Sequence, residues 1–160
     1  LPPPILIDLD KIDLAKVSVG KEQIYQLNPQ RYEMAQVDGI FTYDLAEGFI
    51  VGYKDVKADE FWVRGHVPDN PVLPGILMIE ATAQLCIYLY KLTVPQIKDR
   101  FIAFGGLDQV RFRGIVRPGQ RLILIGKRVQ MNLRISKCQV QAVVGRDVVF
   151  EGVILGIPVK

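Results

Sequence analysis

The chain contains a single histidine, His66, and a carboxylate, Glu80, set within an apolar run. An imidazole titrates near neutral pH and suits proton abstraction. A carboxyl in dry surroundings resists ionisation, so it can serve as a proton donor. Each has a plainer reading. A lone histidine is commonly structural or at the surface, and a glutamate in an apolar helix can serve a helix or dimer contact. Gln84 follows Glu80 by one helical turn, so the two share a face, and Gln84 is placed to orient the acid.

The segment feeding this run is Gly65-His66-Val67-Pro68-Asp69-Asn70-Pro71-Val72-Leu73-Pro74-Gly75. Its prolines stiffen the loop, as holding an imidazole in one orientation requires. Pro74-Gly75 opens a helix, whose first N–H groups lack internal acceptors and carry partial positive charge. The amides of Gly75 and Ile76 are therefore candidates to polarise a carbonyl oxygen as it gains negative charge, although an ordinary helix start reads the same way. Other chemistries fail on residue types. One histidine and the distant Cys86 and Cys138 make no usual zinc site. Gly126-Lys127-Arg128 lacks the remainder of a phosphate-binding loop. Cys86 lies six residues beyond Glu80, about 240° round a helix, which points it away from the Glu80 face. Both cysteines read as free buried thiols.

The elements that must position these groups follow from patterning. Residues 1–20 read as an arm packed on the surface, and Lys21 to Leu27 as a short helix. Met34 to Tyr43 and Phe49 to Val56 read as a hairpin around Asp44-Leu45-Ala46-Glu47-Gly48. The long helix is predicted over 74–92, from Pro74 to the break before Pro95. Strands follow over Ile102–Val116, Leu122–Leu133, Lys137–Arg146 and Val148–Leu155. The order is strand, strand, long helix, then consecutive antiparallel strands, an α+β class within one domain over 1–160. A helix apolar all round is expected to be buried all round, in one sheet wrapped about it. Any open edge or face then requires a partner chain.

The 160 residues are 49% hydrophobic and 23% charged, with net charge +3. That is too weakly basic to argue for nucleic acid. The apolar stretch from Pro71 to Leu92 holds Glu80 and Gln84, which argues against a membrane span. The start, Leu1-Pro2-Pro3-Pro4, has neither the basic nor the apolar run of a secretion signal, so the chain reads as cytoplasmic.

The stretch from Gly65 to Gln84 resembles the active-site segment GHFPxxPxxPGVLxxEAxAQ of the FabZ-type 3-hydroxyacyl-acyl carrier protein dehydratases. His66, Glu80 and the interval between them match, as do Pro68, Pro71, Pro74, Gly75, Ala81, Ala83 and Gln84. Arg31-Tyr32 with Val37-Asp38 is similar to the family's RYPxLLVD. Phe104 to Pro118-Gly119 is similar to FxxIDxxRF…VxPGD, and the resemblance covers roughly residues 22–157. It implies a hot-dog fold, an antiparallel sheet wrapped around one long helix. It also implies an obligate homodimer, often a trimer of dimers, with His66 of one subunit meeting Glu80 of the other. The implied reaction eliminates water from (3R)-3-hydroxyacyl thioesters of fatty acid biosynthesis, with His66 as base, Glu80 as acid and no cofactor beyond the carrier's phosphopantetheine or coenzyme A. Val67, Pro74 and Phe104 would line the acyl tunnel. Arg111, Arg113, Arg117 and Arg121 either greet an acidic acyl carrier protein or form a solvated strand face. Val67 replaces the family's phenylalanine, Gln30 the histidine of PHRYP, and Ala103 stands where an aromatic gate is common. An acyl thioesterase and a non-catalytic acyl-chain-binding module are the rival readings.

Overall fold

Pro74 and the Val94-Pro95 step bracket the one long helix. The computed structural model describes residues 2–160, and in it this helix, α2, runs Gly75–Thr93 with Pro74 at its N-cap. The predicted bounds are met to within a residue. A shorter helix, α1, spans Lys21–Tyr25, and Gly20 N–H is capped by Gln23 Oε1 at 2.9 Å. The strands are β1 Gly39–Asp44, β2 Phe49–Asp55, β3 Phe101–Phe112, β4 Arg121–Met131, β5 Ser136–Val144 and β6 Asp147–Val159. They form one six-stranded sheet in the order β1-β2-β4-β5-β6-β3, and every pair is antiparallel. This is the hot-dog arrangement that the resemblance implied.

The inner face of the sheet lies against α2, which touches β2, β4, β5 and β6. Leu85 and Leu89 are fully buried there with Ile50, Leu122, Leu124 and Phe150. Burying a leucine is worth about 1.5–3 kcal/mol, so the helix is held chiefly by its apolar side chains. Two glycines permit the close approach. A Cβ on Gly52 would lie 2.9 Å from Leu85 Cδ1, and one on Gly126 would lie 2.8 Å from Cys86 Sγ. The helix passes the length and composition test for a membrane span, but 67% of that window is buried inside the fold, as in a core helix.

The outer face is covered by the N-terminal arm. Ile5, Leu6, Ile7, Leu9, Ile12 and Leu14 pack on Phe41, Val51, Ile123, Ile125, Val143 and Val148. Gln141 stitches the arm down: its Oε1 accepts from Leu6 N–H at 2.8 Å and its Nε2 donates to Pro4 C=O at 2.9 Å.

Three expectations need correction. The first strand begins at Gly39, not Met34, because Tyr32–Met34 forms a 3-10 turn. Side-chain atoms of Gln84 occupy the Met34 carbonyl and the Gln36 amide, so neither is available to a ladder. The strand expected to reach Val116 ends at Phe112. Beyond it Val116 is buried under the loop and accepts from Leu73 N–H at 2.8 Å. Finally, α2 is not buried all round. Ile76 is 71% exposed, and Ile79, Glu80 and Ile87 are half-buried. The twelve-residue β3 is an edge strand that also exposes Phe101, Phe104, Leu107 and Phe112. A long apolar free edge calls for a cover.

Candidate active site

The His66 loop is held by its own backbone. His66 N–H donates to Trp62 C=O at 2.8 Å, Val72 N–H to His66 C=O at 2.8 Å, and Asn70 N–H to Val67 C=O at 2.9 Å. The His66–Val67 peptide bond is cis. Arg117 Nη1 reaches Asn70 Oδ1 at 2.5 Å and Pro71 C=O at 3.3 Å, tying the loop to the turn after β3. The imidazole is exposed, with Nδ1 lying 2.7 Å from Val72 C=O. A carbonyl only accepts, so Nδ1 carries the hydrogen in neutral His66 and the Nε2 lone pair is free. That is the tautomer a base requires.

Glu80 sits on the second turn of α2, and its orientation is set by Gln84. Gln84 is 2% exposed, and its hydrogen bonds fix which way the amide faces. Its Oε1 accepts from Gln36 N–H at 2.8 Å, while its Nε2 donates to Met34 C=O and to Glu80 Oε1, each at 2.7 Å. Glu80 Oε1 is thus an acceptor, and a proton on this carboxyl belongs on Oε2. Glu80 is not sunk in the core as the sequence reading had it. It lines the wall of a cavity of about 150 Å³ between α2 and the β3 end of the sheet. Ala83, Ile87, Phe101, Phe104 and Ile154 supply much of the apolar lining.

The site residues fall into two groups within one protomer. Glu80 and Phe104 line the cavity, with Gln84 hydrogen-bonded behind Glu80. His66, Val67, Pro74, Gly75 and Ile76 do not line it. Val67 is 49% exposed, and the Gly75 and Ile76 amides find no acceptor among the described residues. At the helix start Phe112 lies so close that a Cβ on Gly75 would be 2.8 Å from its ring.

Cys86 and the arginines behave differently from the sequence reading. Cys86 does share the cavity wall with Glu80, because Glu80, Ala83, Cys86, Ile87 and Tyr90 form one broad stripe of α2 about 120° wide, and Cys86 lies at its edge. Its neighbour Cys138 and burial together push the Cys86 thiol well up, which disfavours the thiolate a nucleophile needs. The four arginines are mostly engaged. Arg113 pairs with Glu151, and Arg121 forks onto Asp55 at 2.7 and 2.9 Å. That fork holds the Asp55 carboxyl below the usual carboxylate range. Arg117 serves the His66 loop, and the Arg111 side chain reaches only the Val110 carbonyl. The signal missed in the sequence is Gln30, a cavity-lining residue whose Oε1 is buried without a partner. No cluster of three or more potential metal ligands occurs among the described residues.

A sheet wrapped around one long helix is also what the comparisons with known proteins return. The chain belongs to the FabA-like domain family, whose model matches residues 28–153. Its relatives include the 3-hydroxyacyl-[acyl-carrier-protein] dehydratase FabZ of Chlamydia muridarum, 36% identical over 91% of this chain and 95% of that one. The enzyme of the same name from Clostridioides difficile is 34% identical over 82% of this chain and 91% of that one. Among solved structures, the dehydratase heterocomplex ApeI:P of Xenorhabdus doucetiae superposes with a TM-score of 0.73 at 14% identity. It covers 86% of this chain and 91% of its own, a likeness of fold.

Proposed function

We propose that the chain is a 3-hydroxyacyl-[acyl-carrier-protein] dehydratase of fatty acid biosynthesis, a lyase whose active site is completed by a second copy of itself. The observation that carries the shared site is the separation of its two halves. The free Nε2 of His66 and the unpaired Gly75 and Ile76 amides lie outside the cavity that Glu80 lines. The exposed apolar edge of β3 gives a second protomer a surface to cover. The near full-length similarity to FabZ enzymes supports the reaction.

The chemistry follows from these atoms. The thioester renders the C2 proton removable, and His66 Nε2 takes it. The amides at Gly75 and Ile76 receive the carbonyl oxygen as it gains charge. Glu80 of the partner, protonated at Oε2, gives its proton to the C3 hydroxyl, which leaves as water. The product is a trans-2-enoyl thioester. Acid and base steps of this kind contribute about 10²–10⁴-fold each. Val67, Pro74 and Phe104 bound the acyl chain, no cofactor is required by any step, and the work is cytoplasmic. An acidic acyl carrier protein meets Arg111 and Arg117, since the charges of Arg113 and Arg121 are already offset by carboxylates. Rising salt is expected to weaken that contact.

His66→Ala and Glu80→Ala are each expected to abolish most dehydration while leaving the dimer folded, measured by enoyl-thioester absorbance. Mixing and reassociating the two variants tests the sharing. In a two-fold dimer one native site is restored per mixed pair, or about a quarter of wild-type activity overall. No recovery in demonstrably mixed dimers places both groups of a site on one chain and overturns the arrangement.

A further inference from the structure

The mechanism leaves one polar atom at the cavity unused. Gln30 lines the same cavity as Glu80, and its Oε1 is sealed from solvent with no hydrogen-bond partner. Buried acceptors without donors are rare and demand an explanation. Of the other such atoms among the described residues, Asn28 Oδ1, Gln36 Oε1 and Trp62 Nε1, none belongs to a residue lining this cavity. The position of Gln30 is not accidental slack. Arg31 Nη1 donates to the carbonyls of Asn28 at 2.7 Å and Gln30 at 2.9 Å, and Nη2 to Tyr25 at 2.8 Å. The Arg31 guanidinium also stacks 4.3 Å over the Tyr25 ring. Asn28 Nδ2 in turn donates to Gln84 C=O at 2.8 Å, so this segment is anchored to α2 one turn past Glu80.

A donor that enters the cavity completes Gln30 Oε1 once the side chain turns towards the space it lines. Gln84 Nε2 is already committed twice. The acyl part of a 3-hydroxyacyl thioester offers one donor, the C3 hydroxyl. We infer that Gln30 Oε1 accepts the hydrogen bond of the C3 hydroxyl and thereby selects hydroxyacyl over saturated acyl chains, an inference that rests on the dehydratase reading. The hydroxyl is then held at both ends. Its oxygen faces the Glu80 Oε2 proton, and its own hydrogen faces Gln30. As the C3–O bond breaks, the oxygen takes the Glu80 proton, while the hydroxyl hydrogen stays on the departing water. In the reverse direction the same acceptor orients the attacking water towards C3.

The test compares Gln30→Met, which keeps the length and removes the acceptor, with Gln30→Glu, which keeps an oxygen acceptor. Two readings are taken on carrier-protein thioesters of equal chain length: kcat/KM for 3-hydroxybutyryl dehydration and Kd for the butyryl thioester. Gln30→Met is expected to lower the first by about tenfold, the scale of one lost hydrogen bond, and to leave the second within about twofold. Gln30→Glu is expected to keep the hydroxyacyl preference. Unchanged dehydration in Gln30→Met, equal loss for both ligands, or loss of the preference in Gln30→Glu overturns the role of Gln30. Wild-type protein that dehydrates nothing overturns the parent reading instead, and the inference with it.

Discussion

Gln84→Leu is the substitution whose effect can be worked furthest from the structure. Gln84 is 2% exposed and serves three groups: the Gln36 amide, the Met34 carbonyl and Glu80 Oε1. Leucine approximates the volume but satisfies none of them. Two backbone groups then lose their partners beneath α2, at about 1–3 kcal/mol each, or about 2–6 kcal/mol together. For a domain of this size each kcal/mol moves Tm by roughly 2–4 °C, so the melting temperature is expected to fall by about 4–24 °C. Glu80 also loses the donor that holds Oε1 and leaves Oε2 to carry the proton. A barrier increase of about 1.4 kcal/mol is a tenfold loss of rate, and kcat is expected to fall by at least that much well below the new Tm. Thermal unfolding by circular dichroism gives the first quantity, and enoyl-thioester absorbance under saturating substrate gives the second. A variant melting within about 2 °C of wild type would show that these bonds stabilise little. Undiminished kcat would remove Gln84 from the orientation of the acid.

Two other expectations follow. Ala103, on the cavity wall, is the place to shorten the acyl space: Ala103→Phe is expected to lower kcat/KM for long-chain thioesters far more than for four-carbon ones, and equal loss at all lengths would argue against a tunnel past this residue. Asp55, held below its ordinary value of 3.8 chiefly by its hydrogen bonds to Arg121, stabilises the fold fully above that value, and the contribution is lost as pH falls through the lowered one. Asp55→Asn is therefore expected to flatten the acid side of a Tm-against-pH curve below about pH 4 while costing under about 1 kcal/mol at pH 7, because the pair is exposed.

The long helix was legible because Pro74-Gly75 and Pro95 set its limits locally and its apolar content required most of it to be buried. The pairing of Glu80 with Gln84 was legible for the same reason, since helical spacing alone brings them together. What Gln84 does besides was not. Its grip on Met34 and Gln36 spans 50 and 48 residues, and it displaced a strand start that local β propensity favoured. The arginines show the same limit, because the partners of Arg113 and Arg121 lie 38 and 66 residues away. Helical angle also misled at Cys86, because 240° one way is about 120° the other and the cavity wall on α2 is about that wide. His66 and its loop were recognisable as a motif. Their distance from the Glu80 cavity within one protomer is a property of the tertiary structure.

The arm clamped by Gln141 joins the first residues of the chain to β5, more than 130 positions later. A protein shortened past Leu14 would lay bare the greasy back of its sheet, from Phe41 across to Val148. The clasp thus acts as a raincoat for that face. With it fastened, that apolar face is withdrawn from water.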